Sequence, residues 1–143
     1  MILLDTTVLS YAVGETHPLR EPCRRLLTAH AEGRVELTTT VEVVQEFAHV
    51  RARRRPRGGA TALARRYRSA FALLTTEVAD LDLGLTLYER YERLGAFDAV
   101  LAAVALNRDA EALVSADRAF RDVEHLLRWI DPAAPAIDRL SGR

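Results

Sequence analysis

Short, wholly apolar runs alternate along this chain with longer stretches of helical periodicity. Ile2-Leu3-Leu4, after Met1, is too brief for a helix and apolar at every position, the pattern of a strand buried on both faces. Asp5-Thr6-Thr7 then supplies residues that cap helix N-termini, so a strand-to-helix junction is expected there. Leu19, Cys23, Leu26 and Leu27 recur at helical spacing and predict a helix from Pro18 to about Gly33, with the glycine as its stop. Val35 to Thr40 is rich in β-formers and predicts the second strand. Val41 to about Arg55 reads as a helix, broken by Pro56 and the Gly58-Gly59 pair before the pattern resumes from Ala60 to Leu74.

A weaker third strand is expected near Glu77 to Leu81, followed by a helix from about Leu83 to Leu94. Gly95-Ala96-Phe97 interrupts it, and Asp98 opens an Ala-rich helix from Ala99 to Asn107. Ala112 to Ala116 predicts strand four, Asp117 to about Val123 a short helix, and Leu127 to Ile130 a closing edge strand. The tail, residues 132–143, reads as loop. Strands alternating with helices imply an α/β fold with a mostly parallel sheet covered on both faces. The 143 residues suit one domain, 1–143, carrying an Arg-rich helical hairpin at about 51–68. No stretch approaches the roughly 18 continuous apolar residues of a membrane span. The opening run is too short for a signal peptide, and the single cysteine, Cys23, excludes an internal disulfide. A cytoplasmic protein without membrane association is expected, with Cys23 a packing residue.

In parallel sheets of this kind ligands bind beyond the carboxyl ends of the strands. Asp5 and Asp117 end strands one and four, Asp98 opens a helix, and Glu46 lies inside one, so all four acids point to that edge. Each Asp has a competing role as a helix N-cap. Glu46 does not. On a wheel of about 100° per residue it falls at the apolar border beside Val43 and Val50, whereas Glu42 shares the polar face with Gln45 and His49. A half-buried carboxylate needs a partner, and a metal or other cation is the economical one. His17, His30, His49 and His125 show no zinc-site spacing, one Cys builds no thiolate site, and no glycine-rich phosphate loop is present. Hard oxygen donors alone suit Mg2+ or Mn2+, in a site able to cleave a phosphodiester.

Charge sharpens this picture. The net charge is zero, yet Phe47 to Thr76 holds no acid and carries +8 on Arg51, Arg53, Arg54, Arg55, Arg57, Arg65, Arg66 and Arg68, leaving −8 on the rest. A basic surface beside an acidic pocket fits a polyanion such as RNA, although a merely solvated helix face gives the same pattern.

The segments that carry the four acids are Ile2-Leu3-Leu4-Asp5-Thr6-Thr7-Val8-Leu9, Val44-Gln45-Glu46-Phe47-Ala48-His49-Val50, Phe97-Asp98-Ala99-Val100-Leu101-Ala102-Ala103 and Leu113-Val114-Ser115-Ala116-Asp117-Arg118-Ala119-Phe120. In that order they resemble PIN-domain proteins, and in particular the VapC toxins of bacterial toxin–antitoxin pairs. The resemblance spans almost the whole chain. It implies a three-layer α/β/α sandwich and a Mg2+- or Mn2+-dependent endoribonuclease acting on structured RNA, commonly transfer or ribosomal RNA. It further implies 5′-phosphate and 3′-hydroxyl products, a homodimer, and inhibition by a cognate VapB antitoxin. Asp5, Glu46, Asp98 and Asp117 become the acidic quartet, with Thr6 and Ser115 as hydroxyls lining the pocket and Asp122 a competitor for a supporting role. The Arg-rich hairpin has no secure counterpart in a generic member. Two rival classes differ in ways the residues reveal: a non-catalytic RNA-binding module needs no acids, and a haloacid-dehalogenase-like phosphatase needs an Asp where this chain has Thr7.

Overall fold

A computed structural model describes residues 1–142. Strand β1 (Ile2–Leu4) is flanked in the sheet by β2 (Leu37–Thr38) on one side and β3 (Ala112–Val114) on the other, and β4 (Trp129–Ile130) forms the far edge, giving the order β2-β1-β3-β4. All pairings are parallel. Ile2, Leu3 and Leu4 pair with Ala112, Leu113 and Val114, and all six side chains are buried. This is the burial on both faces that continuous apolar strands require.

Helices α1 (Thr6–Val13), α2 (Arg20–Ala31), α3 (Val41–Ala52) and α4 (Arg57–Ala70) pack in series, α1 on α2 and α3, and α3 on α4. Helices α5 (Val78–Arg90) and α6 (Ala96–Asn107) pack on each other, and α6 lies against β3. A parallel sheet flanked by helices is the α/β/α arrangement that the alternating pattern implied. Helix α2 is shorter at both ends than the periodicity suggested. Gly33 nevertheless serves as its stop, at φ 73° just beyond the last turn.

Three expectations are corrected. No third strand forms at 77–81: the only pairing nearby is an isolated bridge between Thr40 and Leu74, and α5 starts at Val78. The cause is Asp80, which accepts the Glu77 N–H at 2.8 Å and so starts a helix where alternation alone read as strand. Asp80 is fully buried and also accepts from Asn107 (2.8 Å) and twice from Arg108 (2.9 and 3.0 Å), tying the start of α5 to the end of α6. Burial alone would raise its pKa, but the Arg108, Glu77 and Asn107 hydrogen bonds prevail and hold it at about 2.

Gly58 and Gly59 do not break the hairpin. Residues 53–55 make the turn, Pro56 precedes α4, and the glycines lie in its first turn, where N–H groups need no helical partner. Tyr67 anchors α4 by donating its hydroxyl to the Leu9 carbonyl at 2.8 Å and meeting Phe47 edge-on. The tail expected as loop carries α7 (Ala136–Leu140), which buries Ile137 and pairs Asp138 with Arg25 of α2 at 3.0 Å. Cys23 is buried in the core as a packing residue, its thiol pushed up to about 12 by burial and then by Asp131.

Helix α6 is the inner helix, with Ala99 and Leu101 to Ala105 all buried. Small side chains let neighbours approach closely, and at Gly84 of α5 a Cβ would stand 2.8 Å from the Val100 Cα. Gly84→Ala gains helix propensity of about 1 kcal/mol. It should still destabilise the protein by about 1–3 kcal/mol through overpacking. Urea unfolding measures this, and since Val100 is two residues from Asp98, the shift of α6 should also alter the acidic cleft described next.

Candidate active site

The strand ends deliver the site. Asp5 leaves β1 with its N–H bonded to the Val114 carbonyl at 3.0 Å, which fixes it beside the end of β3, where Ser115 and Asp117 emerge. Asp5 is buried at 4% exposure, and its Oδ2 accepts from Ser115 Oγ at 2.6 Å and from Thr7 Oγ1 at 3.2 Å. Ser115 Oγ in turn accepts the Asp117 N–H at 3.0 Å, while Thr7 Oγ1 accepts the Ala116 N–H at 3.0 Å. Two hydroxyls therefore clamp the ends of β1 and β3 together through one carboxylate. Thr7 was absent from the sequence-based site set; its position one residue into α1, facing the β3 end, depends on pairing across more than a hundred residues of chain. Thr6 turns the other way and donates to Glu46 Oε2 at 2.9 Å, aiming that carboxylate from α3.

Asp117 caps the short 3-10 helix Arg118–Val123 by accepting the Ala119 N–H at 2.9 Å, so its capping role and a place in the site coexist. Asp98 lies in the first turn of α6, three residues after the N-cap Gly95, and is not the cap. Its carboxyl is pushed up to about 8, by burial first, then by the charges of Asp5 and Asp117, the hydrogen bond its protonated form makes to Asp117, and the charge of Glu46. Asp5 is likewise raised by burial, with the Ser115, Thr6 and Thr7 hydrogen bonds opposing and Glu46 adding to the rise. These couplings gather all four acids into one electrostatic unit.

Glu46 is corrected in one respect. It is exposed, not half-buried, because the border of α3 faces a cleft of about 260 Å3 between α3, α5 and α6. Asp5, Glu46 and Asp98 line that cleft, together with the apolar side chains of Val43, Leu81, Phe97 and Leu101. Glu42 also reaches its wall, where it accepts from Thr76 Oγ1 at 2.9 Å. Asp122 is elsewhere, engaged by Arg93 at 3.0 Å and through a second, closer contact.

The arginines divide. Arg51, Arg53, Arg54 and Arg55 line a second cleft at the C-terminal end of α3, Arg57 borders a small hollow near His49, and Arg65, Arg66 and Arg68 are exposed along α4.

Among the described residues no three acidic, histidine or cysteine side chains converge tightly enough to enclose an ion by themselves. The donor set nonetheless fits a hard cation: it is all oxygen, and the Asp98 carboxyl, raised by burial and then by the neighbouring acids, is a group that a bound positive charge would stabilise. An ion held here would take part of its shell from water, as Mg2+ ordinarily does. Asp5, Asp98, Asp117 and Glu46 are the side chains able to hold it.

The family model of the PIN domain matches residues 2–126. The chain is 49% identical to Ribonuclease VapC7 of Mycobacterium tuberculosis, with the whole of both chains covered. It is 33% identical to Ribonuclease VapC13 of the same organism over 84% of this chain and 92% of that one, and 31% identical to its Ribonuclease VapC23 over 82% and 93%. The chain belongs to the PIN-domain family, among its VapC-type members.

The raised Asp98 carboxyl makes stability depend on pH. Its folded pKa of about 8 lies above the unfolded value of 3.8, so the stabilisation is complete below about pH 4 and is lost as pH rises through 8. In EDTA the melting temperature should therefore fall between pH 5 and pH 8.5 (about), and Asp98→Asn should flatten that fall. Millimolar Mn2+ should restore stability at the alkaline end for the wild type only, since a ligand that binds the native state stabilises it by mass action.

Proposed function

We propose that this protein is a Mg2+- or Mn2+-dependent endoribonuclease toxin that hydrolyses phosphodiester bonds in structured RNA, either transfer or ribosomal, and is neutralised by a cognate VapB-type antitoxin. The observation that carries the reading is the electrostatic unit around Asp98: four acids from two strand ends and two helices meet at one edge of the sheet, where burial and then their charges raise the Asp98 carboxyl to about 8. Such an arrangement costs stability and finds its use when a cation is bound. Full-length similarity to a protein named Ribonuclease VapC7 supports the same reading. A homodimer in the cytoplasm, one domain over residues 1–143, completes the proposal.

In this mechanism Asp5, Asp98 and Asp117 would hold the cation, and Ser115 and Thr7 keep the Asp5 carboxylate oriented through the bonds described above. A cation held there would supply Lewis-acid chemistry, lowering the pKa of a water and stabilising charge on the attacked phosphate. Glu46, aimed by Thr6, positions the attacking water and accepts its proton. Val43 and Leu101, buried in the wall of the cleft, limit bulk water on its inner side, where Asp5 is buried, which strengthens the electrostatics there. Against a phosphatase of the haloacid-dehalogenase kind, position 7 offers a hydroxyl already engaged with Asp5 and Ala116 instead of a second carboxylate.

Purified protein should cleave transfer or ribosomal RNA with Mn2+ or Mg2+ and stop in EDTA, and Asp5→Asn should be inactive under all conditions. Cleavage that persists in EDTA, or in the Asp5→Asn variant, defeats the proposal. A further comparison separates the two glutamates of α3. Glu46→Gln should lower the single-turnover rate by about 10²–10⁴-fold, the range for loss of a positioned acid or base. Glu42→Gln should remain within about threefold of wild type, because Glu42 bonds only Thr76 and does not act on Asp98. The opposite ranking would assign the proton transfer to the wrong turn of α3.

A further inference from the structure

Helices α1 and α3 lie side by side and run in the same direction. Thr6 at the start of α1 meets Glu46 at 2.9 Å, and the Val13 carbonyl at its end accepts from Arg51 at 3.1 Å. The acids thus sit at one end of this helix pair and a second cleft, of about 460 Å3, at the other. From Glu46 to Arg53 the axial distance is about 10 Å at about 1.5 Å per residue. Arg53, Arg54 and Arg55 line the second cleft with Tyr11 and His17.

His17 is exposed, and its ring stacks on Tyr11 with centroids 4.5 Å apart and planes 28° apart. Its Nδ1 accepts the Leu19 N–H at 3.1 Å, which fixes the ring in place. The guanidiniums beside it are weakly committed: Arg53 meets His49 at 3.3 Å, and Arg55 meets the exposed Glu15 at 3.5 Å. Exposed pairs of that length contribute little and yield readily to a stronger anion.

Resting on the ribonuclease reading above, we propose that this cleft is a subsite for unpaired RNA strand, in which a nucleobase stacks on His17 over Tyr11 while adjoining phosphates bind Arg53, Arg54 and Arg55. Flat aromatic surface next to cations is the combination that single-stranded nucleic acid uses, since every base has a π-face and every linkage a charge. Pairing would deny the base to His17, so the subsite selects loops or ends of a structured RNA. An acidic protein segment would use the arginines without needing a base-stacking surface, so the stacked ring beside the cations favours a nucleic-acid strand. The helix pair then leads the strand along α1 and α3 to the carboxylates, which alone would repel it.

The test uses a short fluorescein-labelled oligoribonucleotide and an abasic strand of equal length, bound in an Asp5→Asn background so that the RNA stays intact. His17→Asn keeps an acceptor for the Leu19 N–H but loses the ring. It should weaken binding of the base-bearing strand by about tenfold and leave the abasic strand unchanged, and His17→Phe should restore the affinity. Replacing Arg53, Arg54 and Arg55 together by Ala should make the salt slope shallower by about 2 on both strands. In the active protein these changes should raise KM and spare kcat. Equal losses on both strands for His17→Asn, or an unchanged slope for the triple variant, overturn the subsite. So does a triple variant that binds RNA normally but no longer holds its antitoxin, which would make the cleft a protein-docking surface. Absence of cleavage by the wild type with any metal would instead strike the ribonuclease reading, while the stacking and salt results still judge the subsite.

Discussion

Like charges held together in a partly dry place are the constraint around which this molecule is organised. Burial, and after it the charges of Asp5, Asp117 and Glu46, hold the Asp98 carboxyl at about 8, and Asp5 is buried as well. Left to relax, such groups separate or protonate. The fold opposes separation at each point of attachment. Ser115 and Thr7 tie the ends of β1 and β3 through Asp5, Thr6 holds Glu46, and the Ala119 N–H holds Asp117. Helix α6, which carries Asp98, is fixed by close contact at Gly84 and by the buried Asp80–Arg108 pair at its far end. Rigidity far from the acids thus serves their proximity.

The opposite charge is kept at a distance, yet on the same framework. Parallel packing of α1 on α3 places carboxylates at one end of the pair and guanidiniums at the other, so the two do not neutralise each other. Had Arg51 to Arg55 reached the quartet, Asp98 would have gained a partner and lost its raised pKa, and a cation would have had little to gain there. Under the proposed function, segregation along a helix pair would let one small protein attract a polyanion and still keep a site for a cation.

How much of this was legible in the residues follows the range of the interactions. Continuous apolar runs identify β1 and β3 because burial on both faces leaves no room for alternation, and the parallel α/β arrangement follows from the order of strands and helices. Asp5 and Asp117 were readable as strand-end acids, since their position depends on local sequence. The expected strand at 77–81 gives way to α5 because the Asp80 carboxylate accepts the Glu77 N–H, a local helix start, and Arg108 and Asn107 then hold that carboxylate from nearly thirty residues away. Gly58 and Gly59 looked like a break, but Tyr67 on Leu9 and Phe47 secures α4 from its far half. The tail folds as α7 because Ile137 finds a core to enter and Asp138 finds Arg25.

For the candidate site, sequence by itself determined which residue types were available: hard oxygen donors, no His or Cys at zinc-site spacing, and eight of the arginines gathered in one acid-free segment. It also set the helical phase that separates Glu46 from Glu42. Tertiary structure decided the rest. The clamp of Thr7 and Ser115 on Asp5, the exposure of Glu46 at a cleft mouth, the removal of Asp122 into an ion pair with Arg93 and the division of the arginines all depend on which distant segments meet. The physical reason is that helical phase and apolar runs act over a few residues, whereas carboxylate pKa values and hydroxyl clamps are set by neighbours in space, which the chain order does not disclose.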